Sequence, residues 1–122
     1  MHILIIGAAG MIGRKLTSAL VASGQVGGNP IGRLTLADVV APPAPAGFTG
    51  KVETLASDLS APGAAAALVA SRPDLIFHLA AIVSGEAEAD FDKGYRINLD
   101  GTRYLLEAIR QEGIRERYVR KL

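Results

Sequence analysis

The sequence predicts an α/β fold: a doubly wound parallel sheet of strand order 3-2-1-4 with helices on both faces. Three observations predict it. An apolar run, Ile3 to Ile6, stops at a glycine-spaced turn (Gly7, Gly10, Gly13) and passes straight into a helix-like stretch. Strand-like and helix-like segments then alternate along the chain, which with right-handed crossovers gives a parallel sheet. The first run is apolar at consecutive positions rather than alternate ones, as a strand covered on both faces requires.

Each element has its own justification. In the opening stretch MHILIIGAAGMIGR, Gly7 permits the turn, Gly10 leaves the backbone open to a close-lying anion, and Gly13 lets the helix approach the strand. The turn is a GxxGxxG variant of a phosphate-cradling loop, and the anion that such a strand-turn-helix suits is the pyrophosphate of a dinucleotide. Three glycines in an ordinary loop would look the same in isolation, and only the strand before and the helix after set them apart. From Met11 to about Ser23 the residues Ile12, Leu16, Ala19, Leu20 and Ala22 recur at helical spacing, with Gly24 as a stop. Residues 24–33 read as a turn-rich connector, and Leu34 to Asp38 as strand two.

Asp38 ends that strand. An acidic side chain there accepts hydrogen bonds from both ribose hydroxyls of an adenosine and repels a 2′-phosphate, which points to NAD over NADP; a turn-forming Asp is the plainer alternative. Pro42, Pro43 and Pro45 stiffen an irregular loop. Lys51 to Leu55 is a third strand, followed by Asp58 and Leu59. An Asp in this place meets an adenine amino group while its neighbour packs on the ring; Asp58 or Ser60 equally suits as a helix cap. Ala61 to Ser71 is an alanine-dense helix closed ahead of Pro73. Asp74 to Leu79 is strand four, continued by Ala80 and Ala81, small residues that leave room for a flat ring or a ribose. His78 lies within an apolar strand and reads as structural. A long helix is expected from Phe91 to Glu112, with Phe91, Tyr95, Asn98, Thr102, Leu105 and Ile109 on its buried face and Gly101 marking a tight helix contact.

The totals set the bounds. The 122 residues are 49% hydrophobic and 20% charged, which suits one globular domain, and the net charge of +1 argues against a nucleic-acid binder. With no cysteine, disulfides, thiolate metal sites and a Cys nucleophile are excluded. No apolar run reaches membrane-spanning length and no export signal is seen, so a soluble, cytoplasmic protein is expected.

GAAGMIG at 7–13, Asp38, Asp58-Leu59, HLAA at 78–81, and Asn98 to Thr102 followed by LLEA stand in one order along the chain. By these motifs the chain resembles the extended short-chain dehydrogenase/reductase family, in its NAD-dependent epimerase/dehydratase group, which carries a Rossmann-type sheet. The segment IVSGEAEADFDKGYRINLDGTR looks most like the branch of D-erythronate dehydrogenases, which oxidise a four-carbon sugar acid at C2. The resemblance implies that Gly7, Gly10, Met11, Ile12 and Gly13 hold the NAD pyrophosphate and Asp38 the adenosine ribose. It implies that Asp58 and Leu59 meet the adenine, and that Leu79, Ala80 and Ala81 line the cofactor. Asn98 matches the position supporting the family's catalytic lysine, and Ser84 and Glu86 stand near the sugar-acid substrate. It further implies a homodimer or other self-association. The family's catalytic YxxxK is absent: Tyr95, Tyr104 and Tyr118 are followed four residues on by Leu99, Ala108 and Leu122. Residues 1–122 therefore read as an NAD-binding domain that stops short of the catalytic region, with no catalytic residue of its own. With later strands missing, strand four is expected to present an unpaired edge.

Overall fold

A computed structural model describes residues 1–81, 89–112 and 118–121, the last as a backbone strand. They form two compact units. The first comprises residues 1–57, 73–79 and 118–121; the second, residues 58–72 and the described part of 80–116.

In the first unit the chain runs β1 (His2–Ile6), α1 (Met11–Ser23), β2 (Gln25–Val26), β3 (Asn29–Pro30), β4 (Arg33–Asp38), β5 (Lys51–Ala56), β6 (Leu75–His78) and β7 (Tyr118–Lys121). The main sheet has the order β5-β4-β1-β6-β7 and every pairing in it is parallel. The predicted order 3-2-1-4 is its first four strands. The fifth corrects the expectation of an open fourth strand. Tyr118 to Lys121 pair with Leu75 to His78, so the backbone donors and acceptors along that side of β6 are met.

All five residues of β1 are buried, as its consecutive apolar positions require. Ile3 and Ile5 join Ala8, Leu20, Ile31, Leu34, Leu36 and Leu75 in one core cluster, with Leu16 and Val21 of α1 packed against it. The buried face of α1 is Gly13, Thr17 and Leu20, whereas Ile12, Ala19 and Ala22 are exposed. Small residues at the contact let the helix lie close, and Thr17 hides its polar atom by donating its hydroxyl to the Gly13 carbonyl at 2.8 Å. The helix ends on Gly24 in a left-handed conformation, whose N–H returns to the Leu20 carbonyl. The connector after it folds into a small antiparallel hairpin, β2 with β3, whose turn residues Gly27 and Gly28 both have positive φ.

The second unit holds α2 (Ala64–Ala70), α3 (Phe91–Tyr95), a π-helical turn (Arg96–Asp100) and α4 (Gly101–Gln111). The chain enters α2 through Gly63 at φ 81° and not through Asp58 or Ser60, so α2 starts three residues later than the alanine run suggests. Asp90 caps α3, its carboxylate accepting the Lys93 N–H at 3.1 Å. From α3 through α4 the buried positions are Gly94, Gly101, Leu105 and Ala108, which corrects the expected face: Phe91, Tyr95 and Asn98 are exposed. Beside Leu105, the small residues Gly94, Gly101 and Ala108 make the buried contact, where bulk would hold the elements apart.

Gly101 is buried, but a Cβ there would stand 3.6 Å from Leu59 Cγ and Cδ2, ordinary contact, and its φ of −58° is helical. The expected tight contact is thus loose enough for a methyl group. Gly101→Ala is expected to stabilise the chain by about 0.5 to 1 kcal/mol through helix propensity and a less disordered unfolded chain. Thermal denaturation checks it; a lowered melting temperature would mean that the two elements meet more closely than this. No helix among the described residues is long and apolar enough to cross a membrane.

Candidate functional site

The site grows from the carboxyl ends of β1 and β4. Because β1 stops at Ile6 while its neighbour runs on to Asp38, the backbone leaving β1 meets the end of β4. The N–H groups of Gly7 and Ala8 both donate to the Ala37 carbonyl, at 2.8 and 3.1 Å. Gly7 makes that corner at φ 89°, the left-handed region where a side chain is strained. The next N–H, of Ala9, donates to Asp38 Oδ2 at 2.9 Å, and the Val39 N–H donates to Asp38 Oδ1 at 2.7 Å.

The half-buried Asp38 carboxylate therefore has one backbone donor on each oxygen and a second lone pair left on each. It holds the turn and still offers two acceptor sites to a ligand. The turn is fixed from the helix side as well, since Arg14 donates its Nε–H to the Ala9 carbonyl at 2.8 Å. Nothing in the sequence pattern marks Arg14 for this part; only the turn geometry shows it.

The glycines of the turn differ in what they do. A Cβ on Gly13 would stand 2.3 Å from the Gly7 carbonyl oxygen and under 3 Å from Ala8 backbone atoms, so the helix can lie here only with no side chain. A Cβ on Gly10 would meet only Gly7 O, at 3.6 Å, and Gly10 has an ordinary φ of −72°. The chain's own packing does not demand glycine at position 10. No side chain caps α1 at Gly10, which leaves the first N–H groups of this 13-residue helix to another acceptor. Met11 and Ile12 in its first turn are 71% and 54% exposed, so both are open to a bound molecule. Leu79, half-buried, donates its N–H to the Ile6 carbonyl at 2.7 Å, which sets it at the end of β6 beside the end of β1.

The structure thus brings Gly7, Gly10, Met11, Ile12, Gly13, Asp38 and Leu79 to one end of the sheet. A dinucleotide fits this set on the chemistry of the residues: free helix N–H groups for phosphate oxygens, a bare backbone at Gly10, and a pre-set carboxylate for paired hydroxyls.

Of the other named positions, Asp58, Leu59, Ala80, Ala81 and Asn98 lie in the second unit. Asp58 is exposed and forms a turn with Ser60, accepting its N–H at 2.9 Å and its hydroxyl at 2.6 Å. The Ser60 hydroxyl, with the Ser60 N–H and the Arg96 charge behind it, holds the Asp58 carboxyl below its ordinary value of 3.8 against the opposing effect of burial. A depressed folded-state value means a contribution present above 3.8 and lost as pH falls through the folded value. Asp58→Asn is expected to cost only about a few tenths of a kcal/mol near neutral pH, because the group is exposed, and the difference from the parent chain should vanish in acid. Melting curves against pH check the sign. Leu59 is buried, packed toward Gly101. Ala80 is half-buried and Ala81 exposed. Asn98 is exposed within the π-helical turn, not on a buried stripe; its carbonyl accepts the Thr102 hydroxyl at 3.1 Å. Ser84 and Glu86 lie outside the described residues.

The family model described as NAD dependent epimerase/dehydratase matches residues 3–120. A curated D-erythronate dehydrogenase from Cupriavidus necator is 44% identical over 118 residues, 93% of this chain and 36% of that protein. A solved nucleoside-diphosphate-sugar epimerase from Agrobacterium tumefaciens is 66% identical at a TM-score of 0.92, over 99% of this chain and 36% of that one. A uronate dehydrogenase variant from Agrobacterium tumefaciens, solved with NAD, is 32% identical at a TM-score of 0.73, over 96% and 38% of the two chains. The chain spans about a third of the length of each.

Proposed function

The chain belongs to the NAD dependent epimerase/dehydratase family, and from that premise we propose that it is the cofactor-binding part of an NAD-dependent dehydrogenase that oxidises a sugar acid such as D-erythronate at C2. The observation that carries the proposal is the Asp38 carboxylate, fixed by two backbone N–H groups beside an uncapped helix N-terminus. NAD, when bound, supplies the hydride acceptor. The residues of the first unit that hold it are Gly7, Gly10, Met11, Ile12 and Gly13 at the pyrophosphate, Asp38 at the ribose, and Leu79 along the cofactor. By sequence position alone, the proposal extends to Asp58 and Leu59 at the adenine, Ala80 and Ala81 along the cofactor, Asn98 in support of a catalytic lysine, and Ser84 and Glu86 near the substrate.

Oxidation of an alcohol also needs a base for the carbinol proton, and the family's YxxxK does not occur in these 122 residues. The chain alone should therefore bind NAD and turn over nothing. The same feature favours a second reading, a dinucleotide-binding module without catalysis. Similarity to the nucleoside-diphosphate-sugar epimerase keeps epimerase or dehydratase chemistry as the alternative for a longer protein. Self-association is part of the proposal. Phe91, Tyr95, Leu99 and Leu106 are 72%, 53%, 47% and 54% exposed along the helical segment, an apolar stripe that a second copy would cover. A cytoplasmic location is part of the same proposal.

Calorimetric titration of the 122-residue chain with NAD and NADP in parallel tests the proposal. Binding of NAD with NADP at least about tenfold weaker is the expected result. No heat from either ligand, on a sample whose circular dichroism shows the α/β fold, overturns it. Light scattering on the same sample reads the oligomer.

A further inference from the structure

The turn between β1 and α1 is gripped from two directions, and only one grip belongs to a residue already given a role. Ala9 donates its N–H to Asp38 on the strand side and accepts from Arg14 Nε on the helix side. The Ala9 carbonyl and the Gly10 N–H are the two ends of one planar trans peptide and point in opposite directions. Whatever fixes the carbonyl also fixes the N–H. Among the described residues that N–H reaches only the Gly7 carbonyl, at 3.4 Å, a long contact.

We infer that Arg14 is a positioning residue for the phosphate-binding turn. By holding the Ala9 carbonyl through its Nε–H, it aims the Gly10 N–H where a pyrophosphate oxygen is to be met. The inference rests on the reading of this turn as a pyrophosphate site, and it assigns the effect to the place of a hydrogen-bond donor along the side chain rather than to the guanidinium charge.

That distinction is testable with side chains of graded length. Gln carries an N–H donor at the same number of bonds from Cα as Arg Nε, without the charge. Lys keeps the charge but places its donor one bond further out. Met matches the length with no N–H. The probes are ADP-ribose, which contains the pyrophosphate, and adenosine, which does not, titrated into the parent chain and into Arg14→Gln, Arg14→Lys and Arg14→Met. Melting curves of each verify folding, which an exposed side chain should not disturb.

Arg14→Met and Arg14→Lys are expected to weaken ADP-ribose about fivefold, the size of one lost solvent-exposed hydrogen bond, with Arg14→Gln within about twofold of the parent. Adenosine affinity should be the same in all four. If Lys restores ADP-ribose binding and Gln does not, the charge acts on the phosphate directly and the clamp is wrong. Four equal ADP-ribose affinities, or losses equal for adenosine and ADP-ribose, also overturn it. A parent chain that binds adenosine but gains nothing from the pyrophosphate sinks the reading of the turn itself, and the clamp with it.

Discussion

Gly13→Ala is expected to lower the melting temperature by about 10 °C, corresponding to about 3 kcal/mol, and to abolish measurable NAD binding. The added carbon would lie 2.3 Å from the Gly7 carbonyl oxygen and within 3 Å of Ala8 Cα and C. These are backbone atoms that cannot rotate aside, so the first turn of α1 must retreat. The retreat strains the Thr17 to Leu20 contacts under the helix and pulls the phosphate-facing N–H groups out of place. Gly10→Ala is the control. Its Cβ would meet only one oxygen, at 3.6 Å, and its backbone is already in a region open to any residue. It should melt within about 2 °C of the parent while losing NAD affinity at least about tenfold, because the space that it fills belongs to the ligand. Circular dichroism melts paired with titration separate the two. A Gly13→Ala chain that melts like the parent would contradict the close approach of helix and turn.

The second large effect is expected at Asp38. Asp38→Ala should cost about 1 to 3 kcal/mol in urea denaturation and reduce NAD affinity at least about tenfold, because two backbone N–H groups lose their acceptor along with the ribose. Asp38→Asn is no milder in kind. An amide has one oxygen, so the N–H of Ala9 or of Val39 would face an NH2 group, donor against donor. Neither variant should come to prefer NADP, since removing the carboxylate removes a repulsion without supplying a cation for the 2′-phosphate. An Asp38→Asn chain as stable as the parent would show that the carboxylate does not hold the turn.

Which parts of the molecule were legible follows from where the information is stored. β1, β4 and β6 announce themselves as largely apolar stretches bounded by Gly, Pro or Asp, β5 as a short strand-like stretch between a proline-rich loop and Asp58, and their order follows from connection rules, so four of the five sheet positions could be read directly. The β2-β3 hairpin could not, because two-residue strands carry no periodicity; only the Gly27-Gly28 pair hinted at it. Gly13 and Gly101 are legible as contact positions because a glycine within a helix pattern marks close approach, whereas Gly94 and Ala108 are not, since hydrophobicity ranks bulk and packing there rewards its absence. Asp38 was legible by type and place, but that its two oxygens also tie down Ala9 and Val39 is a matter of turn geometry. Arg14 lay wholly outside pattern reading for the same reason.

The central strand also sets a schedule. β1 leaves the ribosome ahead of both its neighbours in the sheet, and one of them is β6, just before which Asp74 receives the His2 N–H across 72 residues of chain. At about 5 to 20 residues per second, that partner follows about 4 to 14 s later. Throughout that interval a run of Ile and Leu can be half-paired at best, through β4. Synthesis thus produces this apolar strand well before its cover is complete, so slow translation between the codons of Asp38 and Leu75 should raise aggregation of the nascent chain more than the same delay anywhere after His78.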